Sequence, residues 1–179
     1  KMQLNTIKDE KNKRVLEETS RRINAMSLVH EMLYSKEKLE FVSLKEYLSE
    51  LVTKLKELVY DGDESVVFIL DIENLKFDIN NSVAIGMITS EVISNAIKYA
   101  FKDIKNPTIT ITLKYDEATK NILYTIQDNG VGLKTENENS GLGMRLIDIF
   151  ARQMEASYTK ENNNGLIYLF TFPYSINEE

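Results

Sequence analysis

The chain has 179 residues, of which 42% are hydrophobic and 28% charged, with a net charge of −6. That is enough for one domain with a real core plus a short attached element, and too apolar for a disordered chain. The acidic balance weighs against sequence-independent nucleic-acid binding, which needs a basic face. The absence of Cys, with a single His, excludes a disulfide framework and a thiolate metal site and all but excludes structural zinc.

The start at Lys1-Met2 reads as a segment excised from a longer protein, with room upstream for a sensor or a membrane anchor. No apolar run reaches the length of a membrane span and no signal peptide is visible. A cytoplasmic location is therefore expected, whether the whole protein is soluble or anchored, with no membrane contact by these residues and no nucleic-acid partner. Ile7 to Lys36 reads as one long helix without Gly or Pro. Val15, Thr19, Ile23, Met26, His30 and Leu33 recur along it at helical spacing, a stripe that needs a partner helix. Ser43-Leu44-Lys45-Glu46 has the form of a capping box, with Val42 and Tyr47 at the staple positions. Leu48, Leu51, Val52, Leu55 and Leu58 then make an apolar helix face that ends near Asp61-Gly62-Asp63.

Beyond that point the period shortens. Ser65 to Ile72 predicts a buried strand and Leu75 to Ile79 a short edge strand. Asn80-Asn81-Ser82 offers N-cap residues for a helix from about Ser82 to Phe101. Thr108 to Tyr115 and Asn121 to Gln127 predict two strands joined by a turn. Asp128 to Ser140 reads as a polar loop and Leu142 to Glu155 as a helix. Ser157 to Glu161 and Leu166 to Phe172 form a last hairpin around Asn162-Asn163-Asn164-Gly165. Hairpins imply antiparallel neighbours, so the expected fold is α+β: a two-layer α/β sandwich with a mixed, mostly antiparallel sheet and helices on one face, preceded by the long N-terminal helix.

Three segments carry chemistry. On the 82–101 helix, Glu91, Asn95, Lys98 and Lys102 fall along one ridge, opposite a core face of Ile85, Ile88, Val92, Ala96 and Ala100. Oxygen ligands beside an ammonium suit a Mg²⁺–phosphate group, although a plain solvated polar face has the same pattern. Asp128-Asn129-Gly130-Val131-Gly132 ends a strand. Its carboxylate can accept from an exocyclic amine and its glycines permit close approach; an ordinary Asn-Gly turn is the competing reading. Gly141-Leu142-Gly143-Met144 opens a helix, where backbone N–H groups bind phosphate, and equally fits a bare loop-to-helix junction. It is neither a dinucleotide fingerprint nor a P-loop.

In this order, the three segments resemble the N box, G1 box and G2 box of the GHKL (Bergerat-fold) superfamily of ATP-binding domains. The resemblance implies ATP and Mg²⁺ as cofactors. It implies Asn95 and Glu91 at the metal and the γ-phosphate, as catalytic and Mg²⁺-binding residues. Asp128 falls at the adenine amino group, Gly130 and Gly132 at the base pocket, and Lys98 and Tyr99 along the phosphates and base. Leu133 begins a lid, and Gly141, Leu142 and Gly143 lie against the phosphates. Arg22 to Tyr34 and Val42 to Leu48 resemble the second dimerisation helix, and the entry to the catalytic domain, of histidine kinases of the HisKA_2/HWE-like subgroup. The domains implied are 1–42, a partial dimerisation domain, and 43–179, the ATP-binding catalytic domain.

The implied function is the catalytic core of a two-component sensor histidine kinase. It passes the ATP γ-phosphate to a His and thence to an Asp of a response-regulator receiver domain, with homodimerisation through the N-terminal helix. That subgroup's phosphoacceptor run does not occur here, and His30 is the single His. Self-phosphorylation by these residues alone is therefore not expected. Two other readings stand beside this one: a GHKL serine kinase of the anti-sigma-factor type, and a non-catalytic dimerising GHKL module.

Overall fold

The computed structural model describes residues 19–20, 23–24, 26–33, 41–59, 66–133 and 141–174. Helix α1 is seen as helical residues at 19–20, 23–24 and 26–33. Strand β1 (Phe41–Ser43) runs into α2 (Leu44–Val59). Then follow β2 (Val67–Ile72), β3 (Lys76–Asp78), α3 (Ile79–Asn95), a π turn (Ala96–Ala100), β4 (Thr108–Asp116), β5 (Asn121–Asp128), α4 (Leu142–Gln153), β6 (Ser157–Asn162) and β7 (Leu166–Pro173). Five strands form one sheet in the order β2-β4-β5-β7-β6, and β1 pairs with β3 beside it. Only β2 and β4 run parallel in the large sheet; the other neighbours are antiparallel. The mixed sheet expected from the hairpins is the one observed.

The two layers follow from side-chain alternation. Ile109, Ile111 and Leu113 of β4, Ile122, Tyr124 and Ile126 of β5, and Tyr168, Phe170 and Phe172 of β7 are buried on one face. Helix α3 lies on that face: its Thr89 hydroxyl and the Tyr124 hydroxyl share a 2.6 Å hydrogen bond inside the core. Helix α4 packs against α3 and β6. Ile85, Ile88 and Ile93 of α3 are wholly buried, each contributing about 1.5–3 kcal/mol by removal from water. The opposite face carries Thr110, Thr112, Thr125 and Thr171, all half-buried. There the Thr112 and Thr125 hydroxyls meet across the strands at 2.5 Å.

Several local expectations are corrected. Ser65 to Ile72 predicts a buried strand, yet Val67 and Ile69 of β2 are about half exposed. It is an edge strand, and only Phe68, Leu70 and Ile72 turn toward the helices. The cap of α3 is Asp78, not a residue of Asn80–Ser82: its Oδ1 accepts from the Asn81 N–H at 3.0 Å, and the Ser82 hydroxyl donates to the Asp78 carbonyl at 2.8 Å. Strand β3 passes directly into the helix, so the last strand residue does the capping.

At α2 the Glu46 N–H donates to the Ser43 hydroxyl at 3.5 Å, the serine half of the expected capping box, while that hydroxyl donates to Asn74 at 3.1 Å. The Leu44 N–H donates to the Leu75 carbonyl at 2.9 Å. On α1 the buried residues are Val29, Met32 and Leu33, whereas Ile23, Met26 and His30 of the expected stripe are exposed. Val15 and the 61–63 turn lie outside the described residues.

Candidate functional site

The site forms where the C-terminal end of α3, the end of β5 and the start of α4 meet. The apolar ridge of α3 is buried as its spacing requires: Ile85, Ile88, Val92, Ala96 and Ala100 are all in the core. Glu91 is also buried, at 4% exposure, which a solvated polar face would not produce. Asn95, one turn further on, is half-buried.

After Asn95 the helix widens into the π turn Ala96–Ala100, a feature for which the sequence gives no signal. Such turns change the direction of the side chains they carry and are frequent at functional sites. Lys98 is half-buried there, and its ammonium stands 5.4 Å from the centre of the Tyr99 ring, which is 65% exposed. Lys102 lies past the end of the helix in an exposed turn, so the expected four-residue ridge loses its last member.

Asp128 closes β5 and is buried, at 6% exposure. Its Oδ1 accepts from the Gly130 N–H at 2.8 Å and from the Leu166 N–H of β7 at 3.2 Å. Burial pushes its carboxyl above the usual aspartate range, and the two backbone N–H groups offset that only in part. The loop beyond it folds onto the π turn. The Val131 N–H donates to the Ala100 carbonyl at 3.0 Å, and a side chain at Gly130 would collide with Ala100. Asn129 ties the same loop to β4, its Oδ1 accepting from the Thr108 N–H at 2.8 Å. Gly132 and Leu133 continue the loop and are half-buried. The expected lid, 134–140, falls outside the described residues.

Gly141 is the N-cap of α4 and supplies no side-chain cap. Leu142 is exposed and Gly143 buried against the rest of the chain. Two hydroxyls hold α4 down. Tyr168 of β7 donates to the Met144 sulfur at 3.5 Å, and Tyr158 of β6 donates to Asp148 at 2.5 Å. The Tyr168 phenol is pushed up to about 12, first by burial and then by the Asp128 charge beside it.

Among the described residues, then, Asp128, Gly130 and the π turn are joined by contacts, and Tyr168 links Asp128 to the first turn of α4. The sequence reading missed Tyr168, Asn162 and Gly165. Gly165 has φ +124° and packs on the Asp128 carbonyl, where any side chain would clash. The register that pairs Ile126 with Tyr168 is what brings them there, and register is not written in a single strand.

Residues 80–176 match the family described as histidine kinase-, DNA gyrase B- and HSP90-like ATPases. The chain belongs to that family. Residues 1–59 match a second family, HisKA_2, described as histidine kinase. Together they make the chain a histidine-kinase catalytic ATPase domain with a HisKA_2 segment, the core of a two-component sensor kinase.

Solved structures agree on the fold. The histidine kinase domain of a blue-light activated histidine kinase from Erythrobacter litoralis superposes with a TM-score of 0.71 at 20% identity, covering 86% of this chain and 73% of that one. The histidine kinase AdeS of Acinetobacter baumannii gives 0.61 at 20%, covering 90% and 80%. A nucleotide-free catalytic domain of the histidine kinase ThkA gives 0.60 at 18%, covering 76% and 96%. No curated protein matches the chain.

Proposed function

We propose that this histidine-kinase core binds ATP with Mg²⁺ and presents the γ-phosphate to a histidine supplied from outside these residues. The observation that carries the reading is the buried Asp128 carboxylate. Both of its backbone bonds fall on Oδ1, which leaves Oδ2 as the acceptor for an exocyclic amino group of the base. The Gly130–Leu133 loop makes one wall of the base pocket. Tyr99 and Lys98 belong to the π turn on which that loop docks, and the proposal assigns the ring to the base and the ammonium to the phosphates. Gly141, Leu142 and Gly143 offer the α4 N-terminus to the phosphate oxygens.

Asn95 and the buried Glu91 are hard oxygen donors one helical turn apart, a set that fits Mg²⁺. When bound, Mg²⁺ neutralises phosphate charge. Asn95 orients the triphosphate and Glu91 acts at the γ-phosphate, polarising the attacking group. The acceptor imidazole nitrogen bonds to the γ-phosphorus, the bond to the bridging oxygen breaks, and ADP leaves.

His30 is the single histidine in the sequence and lies exposed on α1. The proposal assigns the phosphoacceptor to a separate helix, with a response-regulator receiver Asp as the next acceptor. The HisKA_2 match over 1–59 favours this over a serine kinase. The exposed Ile23 and Met26 support homodimerisation through α1, with a dimerisation part over 1–42 and the catalytic part over 43–179. Among the described residues no helix is long and apolar enough to cross a membrane, and a cytoplasmic location is part of the proposal.

Calorimetry with ATP and Mg²⁺ tests the reading. The chain should bind, and Asn95→Ala should remove the Mg²⁺-dependent part, roughly a 10- to 100-fold loss. Unchanged affinity in that variant would remove the assignment of Asn95. Incubated with labelled ATP, the chain alone should stay unlabelled, and a supplied histidine-bearing helix should take the label.

A further inference from the structure

The turn joining β6 to β7 does more than close a hairpin: it grips the loop that follows β5. The Gln127 side-chain amide donates to the Asn163 carbonyl at 3.0 Å, and the Leu166 N–H donates to Asp128 at 3.2 Å. At the far end of the loop, the Asn162 side chain accepts from the Leu133 N–H at 2.8 Å through Oδ1 and donates to the Leu133 carbonyl at 3.1 Å through Nδ2. The amide thus offers Leu133 the same donor and acceptor pair that a neighbouring strand would.

Gly132 passes beside it at φ +68°, and a Cβ there would stand 2.7 Å from Asn162 Oδ1. The described part of the loop is thereby held at both of its ends. Asp128 holds Gly130 at one end, and Asn162 holds Leu133 at the other. The Asn162 contacts are the ones in this turn made by a side chain of the turn itself, so they can be removed without touching its backbone.

We propose that Asn162 is a positioning residue for nucleotide binding: its paired hydrogen bonds hold Gly132 and Leu133 in the conformation that walls the base pocket beside Asp128. The inference rests on the ATP-binding reading of that pocket. Asn162 would not touch the nucleotide; it would lower the ordering cost of the loop that does. Without it the loop keeps its Asp128 end and samples other conformations at the Leu133 end, and affinity falls by the fraction of chains in the competent form.

The test is ATP·Mg²⁺ calorimetry and thermal unfolding on the whole chain, in four forms. Asn162→Ala removes both bonds. Asn162→Asp keeps the size and the acceptor for the Leu133 N–H but turns an oxygen toward the Leu133 carbonyl. Asn163→Ala is the control, since its contact to Gln127 is made by its backbone. The expected result is about tenfold weaker ATP binding in Asn162→Ala and a loss in Asn162→Asp as well, with Tm close to that of the parent chain.

Asn163→Ala should bind as the parent does. Parent-like affinity in both Asn162 variants overturns the proposal while leaving the ATP reading standing. So does an equal loss in Asn163→Ala, which would make the effect a general one of the turn. A parent chain that binds no ATP takes both readings down together.

Discussion

The two ends of the central strand β5 are built to different standards. At the Asn121 end the core closes with aromatic rings: Phe77 lies 6.2 Å from Phe172 and 5.0 Å from Tyr174, and Tyr174 meets Tyr115 edge-on at 5.4 Å. The Tyr174 hydroxyl there donates to the Lys76 carbonyl at 3.2 Å. At the Asp128 end, about 25 Å away by strand rise, a carboxylate is buried among backbone N–H groups, with its pKa raised, beside close-packed glycines and a π turn. One end maximises apolar contact. The other accepts a buried charge and irregular backbone, which a folding core has no reason to keep. That contrast within one strand is what marks the Asp128 end as the candidate binding end.

The largest expected effect breaks the packed end. Phe77→Ala removes a buried ring shared by Phe172 and Tyr174 and should cost about 3–5 kcal/mol of stability by denaturant unfolding. Its ATP affinity at a temperature where the variant stays folded should equal that of the parent. If affinity falls in step with stability, the two ends are not independent and the contrast fails.

A smaller effect of opposite character belongs to the other end. Asp128→Asn keeps a side-chain oxygen for the Gly130 and Leu166 N–H groups, so stability should hold or rise slightly once the buried charge is gone. ATP affinity should fall about 10- to 100-fold in calorimetry, because the amide cannot offer a second charged acceptor to the base. A variant that loses stability but still binds ATP normally would assign Asp128 to the core instead of to the site.

How far this contrast could be read from residues alone differs from element to element. Strands β4 and β5 were plain, because Ile109-Thr110-Ile111-Thr112-Leu113 alternates with the sheet period. The polar residues Glu91 and Asn95 stood out because they interrupt an apolar helix at helical spacing. Strand β2 misled: Val66-Val67-Phe68-Ile69-Leu70 shows no alternation, so its half-open edge position could not be told from a buried one.

The π turn Ala96–Ala100 was illegible, since nothing in Ala-Ile-Lys-Tyr-Ala distinguishes it from ordinary helix. Its carbonyl at Ala100 is nonetheless what the Gly130–Val131 loop docks on. Asn162, Gly165 and Tyr168 read as turn and strand residues because their roles arise from contacts distant in the chain, Gly165 and Tyr168 with β5 and Asn162 with Leu133 in the loop beyond it.

The smallest predicted effect is also the sharpest test of the comparison, because it has two signs. Asp128 has a carboxyl pKa raised by burial, so the folded chain holds a proton there at pH values where the unfolded chain has already lost it. Between the ordinary aspartate value and the raised one, the folded state binds more protons, and this group's contribution to stability falls as pH rises. Above the raised value that cost is complete and constant. Binding runs the other way, since an exocyclic amine needs the ionised carboxylate. As pH is lowered toward the raised value, ATP affinity should start to fall earlier than an ordinary exposed aspartate would allow, while the Asp128 share of stability rises. Other carboxylates titrate in the same range, so the share is read as the difference between the parent chain and Asp128→Asn, in Tm and in ATP affinity at each pH. Opposite slopes in the two differences are the expected outcome. Parallel slopes would mean that the charge at the end of β5 serves the fold, and the distinction between the two ends of the strand would be lost.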